Sequence, residues 1–322
     1  MGTIEALRIQ NFKSVKDVQL NCKRVNVFIG EPNTGKSNLL EALALFALPY
    51  TGNISPLIRN SDLSNLFFEN DLSNTVSVSA SDRVCLISYN RDLVFFRFAH
   101  GDKKVNEYPL QLTGSEASGD MYDFQIHPYF FRNLKKFHRK GYDFLFPPNG
   151  DNLFSILQTN KSLRLLVSNF VQDRGFKLTF RQATSEIEIS KEEDNILTTY
   201  PFEVISDTLQ RIIFFLTAME SNKAGTTLIF EEPESNVFPY YTKILAERIS
   251  RDESKQYFIS THNPVFLKSL IEKTNEEQIV VNLVDMFQYQ TKVTQLDSNG
   301  NSEILNLGED VFLNFDKLLS PT

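Results

Sequence analysis

The stretch Val25-Asn26-Val27-Phe28-Ile29-Gly30-Glu31-Pro32-Asn33-Thr34-Gly35-Lys36-Ser37-Asn38 constrains the fold more than any other part of the chain. An apolar, β-branched run leads into a loop bounded by Gly30 and Gly35, and Leu39, Leu40 and Leu43 follow at helical spacing. Strand, loop and helix in that order, with Gly30, Gly35, Lys36 and Ser37 spaced as G-x-x-x-x-G-K-[ST], predict a phosphate-binding loop. The glycines let successive N–H groups converge on phosphate oxygens, and the helix N-terminus behind them adds partial positive charge. Lys36 is placed to neutralise the β- and γ-phosphates, and the Ser37 hydroxyl to ligate Mg²⁺. Asn33, Thr34 and Asn38 complete the expected nucleotide contacts.

The 322 residues are roughly two domains' worth of chain, and 41% hydrophobic residues with 28 Phe can fill a large core. Cys22 and Cys85 cannot make a disulfide framework, which predicts a cytoplasmic setting. No charged-then-apolar leader appears. The longest apolar runs, such as residues 212–216, fall short of the ~20 residues of a membrane span. A net charge of −7 argues against a generally basic nucleic-acid binder. One local patch stands apart: Arg132, Lys135, Lys136, His138, Arg139 and Lys140, within residues 132–140, offer a possible nucleic-acid contact. A solvated helix face is the favoured reading there, and Phe137 either stacks on a base or packs in the core.

Along the chain, residues 4–9 read as a strand and 25–29 as the strand feeding the loop. Residues 75–112 alternate with period two between turn signals, predicting an antiparallel meander. A helix over about 152–172 follows the Pro147-Pro148 turn, with short strands at 176–180 and 186–189 and a charged loop at 191–194. The last third alternates: helix 207–220, strand 226–230, helix 240–250, strand 256–260, helix 265–272. Such alternation predicts a parallel sheet covered on both faces.

Three further motifs carry chemistry. Thr227-Leu228-Ile229-Phe230-Glu231-Glu232-Pro233-Glu234 is a buried-type strand ending in acids. Beside a phosphate loop, the first acid, Glu231, is expected in the Mg²⁺ shell and the second, Glu232, as the base acting on the attacking water. Tyr257-Phe258-Ile259-Ser260-Thr261-His262-Asn263-Pro264 ends a further strand and puts His262 at the ligand edge of such a sheet. Ser206 opens the helix beginning Asp207-Thr208-Leu209, and by spacing alone it is a plain N-cap.

Together these stretches, with Leu7-Arg8-Ile9-Gln10-Asn11-Phe12-Lys13-Ser14, resemble the ABC-type ATPase heads of the RecF/SMC/OLD kind. Within that kind, the chain most resembles the stand-alone bacterial AAA family ATPases that lack a coiled coil or a Toprim domain. The resemblance implies an α/β P-loop NTPase of ABC-ATPase type, with a mostly parallel sheet core, an antiparallel β lobe and an inserted helical segment. It implies a single head over 1–322: an N-terminal lobe of about 1–115, an insertion of about 116–200 and a C-terminal lobe of about 201–322. It implies ATP and Mg²⁺ as cofactors and an ATP-dependent head-to-tail homodimer. Ser206 would then act in trans on the partner's γ-phosphate, Glu231 would sit in the Walker B metal shell, Glu232 would be the catalytic base and His262 the switch histidine. A separate effector protein, no membrane, and service in DNA maintenance or anti-phage defence follow by analogy with relatives. The chain departs from the pattern at Thr208, where relatives carry a glycine, and at Asn236 and Phe238, where they carry histidines. No Q-loop glutamine stands out beyond Gln125, and no Asp-x-Asp pair follows His262.

The leading expectation is therefore an ATP-hydrolysing head, with a non-hydrolysing, ATP-gated binding module as the alternative. A GTPase is disfavoured because neither Asn222-Lys223 nor Asn160-Lys161 continues as Asn-Lys-x-Asp.

Overall fold

Five successive residues, Val25–Ile29, are all buried, as only the middle of a sheet covered on both faces allows. In the computed structural model, which describes residues 2–138, 141–315 and 318, that strand lies at the centre of the main sheet. In chain order, β1 (Ala6–Phe12) and β2 (Val15–Asn21) form a hairpin, and β3 (Val25–Ile29) runs through the loop into α1 (Lys36–Ala44) and α2 (Leu48–Thr51). Next come β4 (Val76–Ala80), β5 (Arg83–Asn90), β6 (Leu93–His100), β7 (Lys103–Gln111) and β8 (Ile126–Tyr129). The helices α3 (Leu153–Thr159) and α4 (Lys161–Gln172) precede β9 (Lys177–Arg181), β10 (Glu186–Glu193) and β11 (Ile196–Pro201). The remainder is α5 (Asp207–Ser221), β12 (Thr227–Glu231), α6 (Pro239–Arg251), β13 (Gln256–Ser260), α7 (Pro264–Lys273), β14 (Ile279–Phe287), β15 (Gln290–Gln295) and α8 (Ser298–Leu307).

The main sheet has the order β15-β14-β3-β13-β12-β8 and is parallel except for β15. The chain therefore leaves β3, β12, β13 and β14 on one edge, the edge where open α/β sheets bind ligands. Alternate residues of each strand serve two cores. Val25, Val27, Ile29, Leu228, Phe230 and Ile259 face α5, α6 and α7, whereas Phe28, Ile229 and Phe258 face α1. A second, antiparallel sheet, β2-β1-β4-β5-β6-β7, closes over α1 and completes that second core. A three-stranded sheet, β11-β10-β9, stands on the helical side.

Several expectations need correction. The helix expected over 152–172 is two helices, because Asn160 adopts extended backbone and its side chain accepts from the Leu163 N–H, starting α4 afresh. The charged stretch 191–194 is mostly strand: β10 runs to Glu193, and β11, which the sequence reading missed, pairs with it. Residues 130–138 form no helix, so the basic segment is not a helical face. Phe137 is buried and packs edge-to-face on Phe202 at 5.9 Å, unavailable for stacking on a base. Arg132, Lys135 and Lys136 are exposed, and Arg139 and Lys140 lie outside the described residues.

Gly30 is where strand and loop meet the neighbouring β14. A Cβ there would lie 2.0 Å from the Val284 carbonyl oxygen, a backbone atom that cannot swing away. Gly30→Ala should destabilise the fold by about 3 kcal/mol, measured by urea unfolding; a variant as stable as wild type would contradict this packing.

Candidate functional site

The loops leaving β3, β12, β13 and β14 surround a cleft of about 390 Å³. Its walls include Asn33, Gly35, Lys36, Ser37 and Asn38 from the phosphate loop, and Glu232 and His262 from the neighbouring strand ends. The remaining expected contacts, Gly30 and Thr34, lie behind this wall and hold it. Lys36 Nζ donates to the Gly30 carbonyl at 2.9 Å and to the Glu31 carbonyl at 2.6 Å. The Thr34 hydroxyl donates to the Glu31 carbonyl at 2.9 Å. Burial pushes the Lys36 ammonium down to about 8, against the pull of Glu232 and Glu31. Such an ammonium, bonded only to neutral oxygens of the loop, is poised for an anion.

The loop doubles back through left-handed backbone at Asn33 (φ 64°) and Gly35 (φ 101°). A Cβ on Gly35 would lie 2.0 Å from Thr291 Oγ1. That hydroxyl donates to the Thr34 carbonyl at 2.9 Å and lies 2.6 Å from Ser14 Oγ, which accepts from Asn38 Nδ2 at 2.7 Å. The β1–β2 turn and the β14–β15 hairpin thus brace the loop through three side chains. Ser14 closes the N-terminal motif of residues 7–14, which gave it no role of its own, and Thr291 had no signal in the sequence, because a hydroxyl in a turn has many ordinary uses.

Glu231 ends β12, and Glu232 turns the chain through φ 43°. Glu232 Oε1 lies 3.3 Å from His262 Nε2, and Oε2 accepts from Ser235 Oγ at 2.9 Å. Burial holds the His262 imidazole below its usual range, the Lys36 charge adds to this, and Glu232 opposes it. Glu231 faces another cation: Arg59 Nη2 donates to its Oε1 at 2.8 Å, while Arg59 Nε donates to Glu41 at 2.8 Å. Lys13 Nζ also meets Glu41, whose carboxylate is buried.

Among the described residues no group of three or more His, Cys, Asp or Glu could by itself hold a metal. Ser37 and Glu231 are oxygen donors of the kind Mg²⁺ takes when phosphates and waters fill its remaining positions, so the donor set fits that ion. Engaging it requires Glu231 to release Arg59.

Glu234 was passed over in the sequence, where only its place after Glu232-Pro233 marks it. It is 3% exposed, and its Oε1 accepts from Thr261 Oγ1 at 2.5 Å. Burial pushes its carboxyl up to about 7. The Walker B turn and the switch segment are thereby joined beneath Glu232 and His262.

Ser206 is exposed and caps α5, its Oγ accepting from the Leu209 N–H at 3.3 Å. It is not in the wall of this chain's own cleft. Thr208, beside it, donates through Oγ1 to the Asn236 carbonyl at 2.8 Å. Gln125 precedes β8 and accepts from the Thr227 N–H at the start of β12, so it lies at the opposite edge of the sheet from the cleft.

The sequence matches the AAA ATPase domain family over residues 3–217. Among solved structures, the fold is similar to an Smc head bound to the C-winged helix domain of ScpA, with TM-score 0.54, 16% identity, and coverage of 92% of this chain and 99% of that one. It is also similar to an Smc head domain with an extended coiled coil, bound to the C-terminal domain of ScpA derived from Pyrococcus furiosus. There the TM-score is 0.51 and the identity 15%, over 95% of this chain and 99% of that one. At these identities the likeness is one of fold. No curated protein matches the sequence.

Glu234 gives the site a pH signature. Folded, it keeps its proton to about 7, against an ordinary value of 4.5. Between these values the folded state binds more protons than the unfolded one, so the contribution to stability falls as pH rises through that window. Glu234→Gln abolishes the titration. The difference in unfolding free energy between about pH 5 and about pH 8 should then shrink, by at most roughly 3 kcal/mol. An unchanged difference would mean that Glu234 is ionised in the fold.

Proposed function

The chain belongs to the AAA ATPase domain family, and on that footing we propose that it binds ATP with Mg²⁺ and hydrolyses it to ADP and phosphate. We further propose a head-to-tail homodimer that drives or licenses a separate effector protein. The observation that carries the hydrolytic reading is the Glu232–His262 pair, 3.3 Å apart in the same cleft as Lys36. A binding module without turnover has no use for a carboxylate and a largely neutral imidazole held together at that spot.

Lys36 exchanges its two loop carbonyls for phosphate oxygens, and the glycine-bounded backbone around it supplies the further donors. Ser37 and Glu231 would hold Mg²⁺, which would supply neutralisation of charge on the phosphates. Glu232 accepts the proton of the attacking water, while His262 orients it and donates toward the γ-phosphate. Ser206 caps α5 at an exposed position outside the wall of this cleft, which suits a role at the γ-phosphate of a second subunit. Support for a separate protein partner is that both similar Smc heads are described bound to a ScpA domain. A role in DNA maintenance or anti-phage defence rests on fold-level analogy, and the exposed Arg132, Lys135 and Lys136 are the place for any nucleic-acid contact.

Glu232→Gln should bind ATP as wild type does and lose turnover by about 10² or more, in a phosphate-release assay. Normal turnover would remove Glu232 from the mechanism. Sharing of sites is tested by mixing Ser206→Arg with Lys36→Ala, each inactive alone for a different reason. After random exchange, roughly a quarter of all sites pair an intact loop with an intact α5. Recovery near that fraction is expected, whereas a Ser206→Arg protein that hydrolyses normally by itself returns Ser206 to a plain helix cap.

A further inference from the structure

The cleft has two ends, and only one is accounted for. Glu232 follows β12 and His262 follows β13, both on one side of β3. A triphosphate seated on the loop after β3, with its terminal phosphate at these two residues, leads its remainder the other way, toward β14 and β15. There the cleft wall is Ser14, Asn38 and Met286.

Met286 and Thr291 are direct partners across the β14–β15 hairpin and so share one face of it. Met286 lines the cleft and Thr291 bonds to the Thr34 carbonyl, so that face is the cleft's. Tyr289 lies in the turn itself, two residues from Thr291, and so at the end of the hairpin next to that face. It is 92% exposed, with little packing of its own. The two turn residues, Gln288 and Tyr289, both have left-handed backbone, at φ 50° and 60°. A two-residue hairpin turn of that kind favours Asn-Gly, and a bulky aromatic there is strained. An exposed ring kept in an unfavourable conformation, beside the unassigned end of a nucleotide cleft, has a use outside the fold.

We propose that the β14–β15 turn is the nucleoside wall of the cleft, with the base lying over Met286 and stacked on Tyr289. This rests on the ATP reading above and adds the part of the site that sets affinity for the nucleoside rather than for the phosphates. Ser14 and Asn38 supply polar groups next to that wall, and the thioether of Met286 offers a polarisable surface to the base's edge.

The test is calorimetric binding of ATP and of tripolyphosphate, each with Mg²⁺, to wild type, Tyr289→Phe, Tyr289→Ala and Tyr289→Gly. Tyr289→Ala and Tyr289→Gly should weaken ATP about ten-fold and leave tripolyphosphate unchanged, while Tyr289→Phe stays within about two-fold of wild type. Tyr289→Gly should also melt no lower than wild type, because glycine suits the left-handed backbone. ATP affinity unchanged in Tyr289→Ala would overturn the proposal. A parallel loss for ATP and tripolyphosphate would overturn it too, since that reports damage to the phosphate loop. A wild-type protein that binds tripolyphosphate as tightly as ATP overturns the nucleoside wall alone; one that binds neither overturns the ATP reading and this proposal with it.

Discussion

The phosphate loop is held between a backbone carbonyl and a side-chain hydroxyl that approach its two glycines too closely for any Cβ. Val284 of β14 lies against Gly30, and Thr291 of β15 lies against Gly35. These contacts explain why a hairpin far along the chain matters to a loop near its start. The loop has little apolar surface of its own, so it is shaped by what touches it: the Val284 carbonyl, the Thr291 hydroxyl and, through that hydroxyl, Ser14 and Asn38. The parallel pairing of β14 with β3 sets the register of all of them. A slip of one residue would turn every side chain to the other face and take Thr291 off the loop.

Charge is distributed to favour an anion at the site. Lys36 is buried among carbonyls with Glu232 and Glu31 only partly offsetting its desolvation, while Glu232 and His262 meet each other in the same cleft. The cation beside Glu231 is Arg59, which is shared with the buried Glu41 and is itself more than half exposed. Exchanging Arg59 for another cation therefore costs little at the exposed arginine end, where ion pairs contribute about 0–1 kcal/mol. The buried Glu41 keeps Lys13 in either case.

Much of this was legible in the residues. The glycine spacing, the acids ending β12 and the histidine ending β13 are all short motifs at strand ends, and a parallel sheet necessarily gathers its strand ends on one edge. The alternation of elements from Asp207 to Glu272 was readable because β12 and β13 are short, buried apolar runs, whereas β14 and the polar β15 that follow were not read. What could not be read is what depends on distant partners. Asn160 breaks a helix that periodicity alone would continue, because its side chain competes for the backbone. β11 is exposed along its whole length and carries no alternation to betray it. Ser14, Arg59 and Thr291 reach the site through tertiary contacts at sequence separations of up to 277 residues, and no local pattern encodes those.

Two of the three positions at which the sequence departs from the pattern it resembles, Thr208 and Asn236, meet in space: the Thr208 hydroxyl donates to the Asn236 carbonyl at 2.8 Å. A glycine at 208 could not make this bond. Asn236 takes left-handed backbone (φ 57°), which asparagine tolerates better than most residues, and this presents its carbonyl to α5. The turn that Asn236 belongs to begins at Glu232, and the helix that Thr208 belongs to begins at Ser206. One side-chain bond therefore connects the start of α5, which Ser206 caps, with the turn that carries Glu232. A neutral hydrogen bond of this kind contributes about 1 kcal/mol, which biases the relative position of α5 and the Glu232 turn about five-fold without locking it. Coupling of that size ties the start of α5 to the turn that carries Glu232 while leaving each free to move.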